Sequence, residues 1–255
     1  MKYFVVSDIH SYYDEFIKTL LEKGFDRENE DHTLIVCGDV FDRGPKPIDV
    51  MNYLNSLPRV ILVKGNHEYL LEEVLQRHGF QSHDIHNGTD KTVLEFLKKN
   101  NEPVEGTWYK STNEILEFFD KFIPYFETEH YIFVHSWIPV DDFSHYKMSS
   151  WGLEGRIDYD ENWREGNWEE AVWPNPFKYA NAGLNKTGKT IVFGHWHCST
   201  GWSIQRFFEG KSNPEFGEDA IWEPYYGEDK EGNKYIGIDR CTAYTGEVNV
   251  IIIED

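Results

Sequence analysis

The chain has 255 residues, 40% hydrophobic and 16% aromatic, enough apolar surface to exclude global disorder and to fill the core of a large α/β domain. Against 45 Asp and Glu stand only 25 Lys and Arg, a formal charge of −20, and so acidic a surface disfavours stable DNA or RNA binding. Three scattered cysteines (Cys37, Cys198, Cys241) form no CxxC pair, and no run approaches the roughly 18 apolar residues of a membrane span, so a zinc ribbon, a disulfide framework and a spanning helix are all excluded.

The opening MKYFVVSDIH has too short an apolar run for a signal-peptide core, and the expectation is a soluble, cytoplasmic protein. Residues 3–6 read as a buried strand that stops at Ser7-Asp8-Ile9-His10. Residues 12–23 place Phe16, Ile17, Leu20 and Leu21 at helical spacing, and Gly24 ends the helix. A second strand, 33–36, runs straight into Cys37-Gly38-Asp39-Val40-Phe41-Asp42-Arg43-Gly44. Pro45 and Pro47 then open a helix with Val50, Leu54 and Leu57 on one face. The third strand, 60–63, ends in Lys64-Gly65-Asn66-His67-Glu68, and a helix from about Tyr69 buries Leu70, Leu71, Val74 and Leu75. Strand, polar residues and helix thus recur three times, the βαβ rhythm of a largely parallel sheet whose ligand sites lie beyond the strand ends.

Residues 80–126 are amphipathic and helical, with Val93, Leu94 and Leu97 in one segment and Ile115, Leu116 and Phe119 in another. They read as a helical insertion that shapes a cleft and carries no chemistry. The strand pattern returns at 131–134, stopping at His135-Ser136-Trp137. From 141 to 185 the composition turns to Trp, Gly and acid, an irregular loop expected to be ordered by Trp151, Trp163, Trp168 and Trp173. Strand 190–193 ends in Gly194-His195-Trp196-His197. Two last strands, 235–238 and 248–253, joined across Thr245-Gly246, predict a hairpin closing the sheet. The whole of 1–255 reads as one domain.

Five strand-like runs therefore end in candidate ligands: Asp8 and His10, Asp39, Asn66 with His67, His135, and His195 with His197. Residues i and i+2 of an extended segment point the same way, so Asp8 and His10 can reach one ion. Carboxylate, imidazole and amide oxygen together suit Mn²⁺, Fe²⁺/³⁺ or Zn²⁺, and the absence of cysteine donors argues against a closed structural zinc site. Asp39 is placed to be shared between two ions, the arrangement of two-metal phosphoryl chemistry.

These motifs carry a resemblance. D-x-H (Asp8, His10), G-D-x-x-D-R-G (Gly38 to Gly44), G-N-H-E (Gly65 to Glu68), V-H (Val134, His135) and G-H (Gly194, His195) occur in the order of the calcineurin-like metallophosphoesterases. The second and third resemble the PPP branch, which holds serine/threonine protein phosphatases and symmetrical diadenosine tetraphosphatases. The match spans residues 5 to 197, and five motifs in order are specific where each alone is weak. The resemblance implies an α/β fold: a two-sheet β-sandwich flanked by helices (αββα). It implies two metal ions, Mn²⁺ first and Fe or Zn as alternatives, one on Asp8, His10 and Asp39 and the other on Asp39, Asn66, His135 and His195. It implies that Arg43 grips the substrate phosphate, and that His67, steadied by Asp42, protonates the leaving alkoxide or orients the substrate.

The activity implied is hydrolysis of phosphate monoesters by direct attack of a metal-bridging hydroxide, with phosphoprotein, small phosphomonoester or dinucleoside polyphosphate as substrate. Symmetrical dinucleoside tetraphosphate hydrolysis is the alternative, and a catalytically silent binding scaffold the rival from another class. A plain Arg43–Asp42 salt bridge is the structural alternative for Arg43. Two departures stand out. The family's second phosphate-binding arginine has no counterpart near Trp173-Pro174-Asn175, leaving Arg164 or Arg156 as substitutes, and His197 is either a further metal ligand or a supporting group.

Overall fold

The computed structural model describes residues 1–141, 147–149, 152–154, 158–211 and 214–255. Chain order begins β1 (Lys2–Val6), α1 (Tyr13–Glu22), β2 (His32–Cys37), α2 (Pro47–Ser56), β3 (Val60–Val63) and α3 (Asn66–Arg77). Then come α4 (Ser82–Asn87), α5 (Thr89–Asn100), α6 (Tyr109–Phe119), β4 (Phe122–Ile123), β5 (Phe126–Glu127) and β6 (Tyr131–Phe133). The Trp-rich stretch holds β7 (Val140–Asp141), β8 (Lys147–Ser149), β9 (Gly152–Glu154), β10 (Asp158–Tyr159), α7 (Trp168–Ala171) and α8 (Pro176–Asn181). The chain closes with β11 (Thr190–Phe193), α9 (Cys198–Phe208), β12 (Tyr225–Glu228), β13 (Lys234–Gly237), α10 (Thr242–Thr245) and β14 (Val250–Glu254).

Two five-stranded sheets result, ordered β14-β1-β2-β3-β4 and β12-β13-β11-β6-β5. Strands β1 to β4 are parallel to one another, as are β6, β11 and β13, while β14, β12 and β5 are antiparallel edges. Side-chain alternation builds three cores from these strands. Phe4, Val6, Leu34, Val36 and Leu62 face outward into α1, α2, α3, α5 and α6. Val5, Ile35, Phe133, Val192, Ile236 and Ile251 meet between the sheets, and Ile132, Val134, Ile191, Phe193 and Tyr235 face outward into a Trp- and Phe-rich layer. The outcome is the helix–sheet–sheet–helix sandwich anticipated above.

The closing hairpin is not formed. Strand β14 pairs antiparallel with β1 in the first sheet, β13 lies between β12 and β11 in the second, and α10 bridges them. The physical reason is burial: Ile236 on β13 with Ile238 just beyond it, and Ile251 and Ile253 on β14, meet face to face between the sheets, which an edge-to-edge hairpin would forbid. Helix α3 starts at Asn66 rather than Tyr69 because the Glu68 carboxylate accepts from the Gly65 N–H (2.7 Å), a Glu at the third helical position closing back on the cap. Helices α5 and α6 send Val93, Phe96, Leu97, Ile115, Phe118 and Phe119 into the first core. Phe16 and Leu20 of α1 are buried, and Leu21 is exposed. Trp163 is buried and Trp168 stacks on Tyr125 (4.7 Å, 17°), but Trp173 is 46% exposed, and Trp151 lies outside the described residues. No helix among the described residues is long and apolar enough to cross a membrane.

Candidate metal centre

The predicted ligands follow the ends of β1, β2, β3, β6 and β11, three strands from one sheet and two from the other. The loops after β1 and β2 are zipped together by backbone bonds, Asp8 N to Gly38 O (3.1 Å), His10 N to Asp39 O (3.0 Å) and Ser11 N to Val40 O (2.9 Å). This forces an unusual backbone. Asp8, His10, Asp39, Asp42, Arg43 and His195 all have φ between 48° and 71°, a left-handed conformation that side chains adopt at a cost and that clusters at functional sites. Two glycines make the close approach possible: a Cβ on Gly38 would collide with the His135 ring, and one on Gly194 with the Asp8 carboxylate.

Each imidazole is turned by a backbone carbonyl. His10 Nδ1–H donates to Phe41 O (2.9 Å), His135 Nδ1–H to Cys37 O (2.9 Å) and His195 Nε2–H to Trp173 O (3.0 Å). The opposite nitrogen of each ring then carries a lone pair toward the centre, as metal-binding histidines require. His135 Nε2 lies 2.8 Å from Asn66 Oδ1 and 3.2 Å from His195 Nδ1, with Asn66 Oδ1 3.0 Å from His195 Nδ1. Asp39 Oδ1 is 3.4 Å from His135 Nε2. Four electron-rich atoms at such spacing repel one another, and a cation among them is the chemistry that resolves it; the donor set fits a metal ion.

A second group shares Asp39. His10, Asp39 and His67 bring ligand atoms within 4.8 Å of one another, as do Asp39, His135 and His195. Asp39 Oδ2 is 3.7 Å from His10 Nε2 and 4.0 Å from His67 Nε2, while Asp8 Oδ1 is 4.0 Å from His10 Nε2. Arg43 spans this half: Nη1 donates to His10 Nε2 (2.9 Å) and Nη2 to His67 Nε2 (3.0 Å). For His10 to ligate, Arg43 must therefore turn outward. The Arg43–Asp42 salt bridge considered from sequence is not formed, because Asp42 is otherwise occupied. Its Oδ2 accepts from His67 Nδ1 (2.7 Å) and Thr89 Oγ1 (2.7 Å), and its Oδ1 from Thr92 Oγ1 (2.8 Å).

Sequence reading found no chemistry in residues 80–126, yet Thr89 and Thr92, fully buried on α5, hold the Asp42 carboxylate from both sides. The only signal was two hydroxyls three residues apart on a helix face that also carries Val93 and Phe96. It missed Glu68 as well, whose carboxylate accepts from Asp39 N (3.0 Å), Val40 N (3.0 Å) and Gly65 N (2.7 Å) and so fixes the loop that presents Asp39. Asp239, buried beside Asp8, and Thr242, which donates to Asp8 O (2.7 Å), were also unrecognised.

Burial lowers the pKa of His10, with the Arg43 charge adding to it, and of His135; burial and the neighbouring His135 take His195 down to about 3. Those rings are neutral at pH 7, each with one nitrogen lone pair. Burial works to raise Asp39, but the positive charge that His135, His67 and His10 carry once protonated in acid outweighs it and holds the carboxyl below its ordinary range. Asp8 is pushed well up by burial, then by Asp239 and Asp39, and burial takes Asp239 to about 6. His67 differs in sign: burial lowers it, but Asp39 and Asp42 prevail and raise it, favouring a proton on that ring.

His197 is not gathered with the candidate ligands; its Nδ1 lies 3.1 Å from Ser199 Oγ at the start of α9. Arg164 is held by Glu127 (Nη2–Oε1 2.6 Å, Nε–Oε2 3.0 Å) over the Trp163 ring, and Arg156 lies outside the described residues.

The chain is similar to known proteins in sequence and in fold. The family described as calcineurin-like phosphoesterase matches residues 1–199. An asymmetrical bis(5'-nucleosyl)-tetraphosphatase of Bacillus velezensis is 28% identical over 171 residues, covering 62% of this chain and 66% of that protein. A symmetrical bis(5'-nucleosyl)-tetraphosphatase of Buchnera aphidicola is 44% identical over 69 residues, 27% of this chain and 24% of that protein. The chain thus spans less than two thirds of either relative's length. A cold-active protein tyrosine phosphatase from a psychrophilic Shewanella shares the fold over 100% of this chain and 75% of its own, with a TM-score of 0.55 at 16% identity.

Proposed function

The chain belongs to the calcineurin-like phosphoesterase family, and on that premise we propose that it hydrolyses phosphate monoesters in the manner of a serine/threonine phosphatase. The observation that carries this reading is Asp39, the one carboxylate common to both groups of converging ligands. Asp8, His10 and Asp39 would hold one cation, and Asp39, Asn66, His135 and His195 the other. Two such ions, Mn²⁺ first with Fe or Zn as further fits, would acidify a water and neutralise charge on the phosphate.

The chain's own residues do the rest. Arg43, once turned from His10, offers a planar fork of donors matched to phosphate oxygens. Once Arg43 has turned from His67 Nε2 as well, that nitrogen can carry a proton toward the leaving oxygen, and Asp42, accepting from Nδ1, supports the charged ring that gives it up. Burial of the Asp42, Thr89 and Thr92 group keeps water from competing for those bonds. Cys37, Cys198 and Cys241 are free thiols, which supports a reducing, cytoplasmic setting.

A second reading, cleavage of dinucleoside tetraphosphates, is favoured by what the two curated relatives are named for. Purified protein with Mn²⁺ is expected to release phosphate from p-nitrophenyl phosphate and from phosphoserine peptides. His67→Asn should cost roughly a hundredfold or more on phosphoserine, whose alkoxide needs the proton, and less on nitrophenolate. Diadenosine tetraphosphate yielding two ADP, or ATP with AMP, faster than any monoester is cleaved would replace the first reading with the second. No turnover with Mn²⁺, Fe²⁺, Zn²⁺, Ni²⁺ or Co²⁺ would leave the binding scaffold.

A further inference from the structure

Past His195 the chain gathers rings that belong to none of the three cores. The His197 ring lies 4.8 Å from Phe216 and 5.7 Å from Trp222, centre to centre. Phe216, Trp222 and Tyr244 close a triangle of 5.9, 5.6 and 5.5 Å. Phe216 is 49% and Tyr244 58% exposed, and Trp222 is half-buried. Three contacting aromatic rings left open to water, on a protein with ample core elsewhere, make an apolar patch that packing does not explain.

The cluster is joined to the candidate metal centre through α10. The Trp222 carbonyl accepts from Asn249 Nδ2 (2.8 Å), and Asn249 is itself buried. Tyr244 sits on α10, whose Thr242 hydroxyl donates to the Asp8 carbonyl (2.7 Å). His197, in ring contact with Phe216 and Trp222, stands two residues beyond His195.

We propose that Phe216, Trp222 and Tyr244 form a stacking subsite for the base of a nucleotide whose phosphate lies at Arg43 and the metal ligands. The inference rests on the phosphoester reading above and assigns residues to hold the base of its nucleotide substrates. A chain of net charge −20 gives an anionic substrate no long-range attraction, so selectivity for a nucleotide must come from its uncharged part. Every nucleobase offers a π-face, and stacking on aromatic side chains is sequence-tolerant and strong. A nucleobase is chosen over an aromatic peptide side chain because the two curated relatives are named for nucleoside tetraphosphates.

The test compares wild type with Phe216→Ala, Tyr244→Ala and Trp222→Leu on diadenosine tetraphosphate, inorganic tripolyphosphate, a phosphotyrosine peptide and p-nitrophenyl phosphate, all with Mn²⁺. The expected result is a KM for the dinucleotide raised about tenfold by the loss of one stack, with tripolyphosphate and p-nitrophenyl phosphate unchanged. ADP should quench tryptophan fluorescence in wild type and not in Trp222→Leu, while pyrophosphate quenches neither. If all substrates weaken equally, or only the phosphotyrosine peptide does, the subsite is overturned and the phosphatase reading stands. If wild type hydrolyses nothing, the phosphatase reading falls, and the ADP and pyrophosphate titrations decide the subsite alone.

Discussion

The two halves of the centre are held by different means. In the half built on β1, β2 and β3, the groups that fix His67 and Asp39 are buried side chains: Asp42, Thr89, Thr92 and Glu68, none more than 1% exposed. In the half built on β6 and β11, His135 and His195 are oriented by single backbone carbonyls, Cys37 O across the sandwich and Trp173 O in the turn after α7. A carbonyl fixes a ring whatever its side chain is, whereas a buried network depends on every member. The first half should be sensitive to mutation well away from the ligands, and the second only at the ligands themselves.

Asp39 belongs to both halves, and its loss should be the largest effect. Asp39→Asn is expected to lower kcat/KM for p-nitrophenyl phosphate by about a thousandfold or more, since stabilisation worth several kcal/mol depends on both ions. Metal content by mass spectrometry should fall with it. Retention of two ions per chain at near wild-type activity would break the comparison at its root, because Asp39 would then bridge nothing.

Much of this centre was readable in the chain because parallel strands end where chemistry begins. Asp8, His10, Asp39, Asn66, His67, His135 and His195 each follow a short apolar run, and the motif spacing carried the family. What stayed hidden depends on contacts across the fold. Thr89 and Thr92 lie 47 and 50 residues from Asp42 and look like ordinary polar members of an amphipathic helix. The last two strands were paired with each other because they are adjacent in sequence and equally apolar. Nothing local says that one completes the first sheet and the other lies within the second.

The buried network yields the next effect in size. Thr89→Val with Thr92→Val leaves Asp42 without two of its donors, and hydrogen bonds to a charged group are worth about 1.5–3 kcal/mol each. The double variant should lose several degrees in Tm and about tenfold in kcat/KM, and Thr92→Ser should recover most of both. An unchanged pH profile with lowered Tm alone would reduce the threonines to packing.

Acid unfolding of metal-free protein should separate His67 from His195 by sign. His195 stays neutral in the fold to about 3, while an unfolded histidine takes a proton near 6.5. The unfolded chain therefore binds the extra proton between those values, and stability falls as pH is lowered through that window, by at most about 1.4 kcal/mol per pH unit. His67, raised in the fold, works the other way: its contribution is full below 6.5 and is lost as pH rises through its folded value. Urea midpoints in EDTA from pH 7.5 to 4.5 should lose less on acidification in His195→Asn and more in His67→Asn. The same slope in both variants would erase the distinction.

The smallest effect is the sharpest test of the second half. Trp173 is a large aromatic beside the centre, and its carbonyl accepts from His195 Nε2, yet its side chain is 46% exposed. Trp173→Ala keeps the carbonyl and removes only the ring, so stability should stay within about 0.5 kcal/mol and the rate on p-nitrophenyl phosphate near wild type. A large loss of rate with bound metal intact would mean that the indole itself orders the loop. The second half would then depend on a side chain after all, as the first does on Thr89 and Thr92.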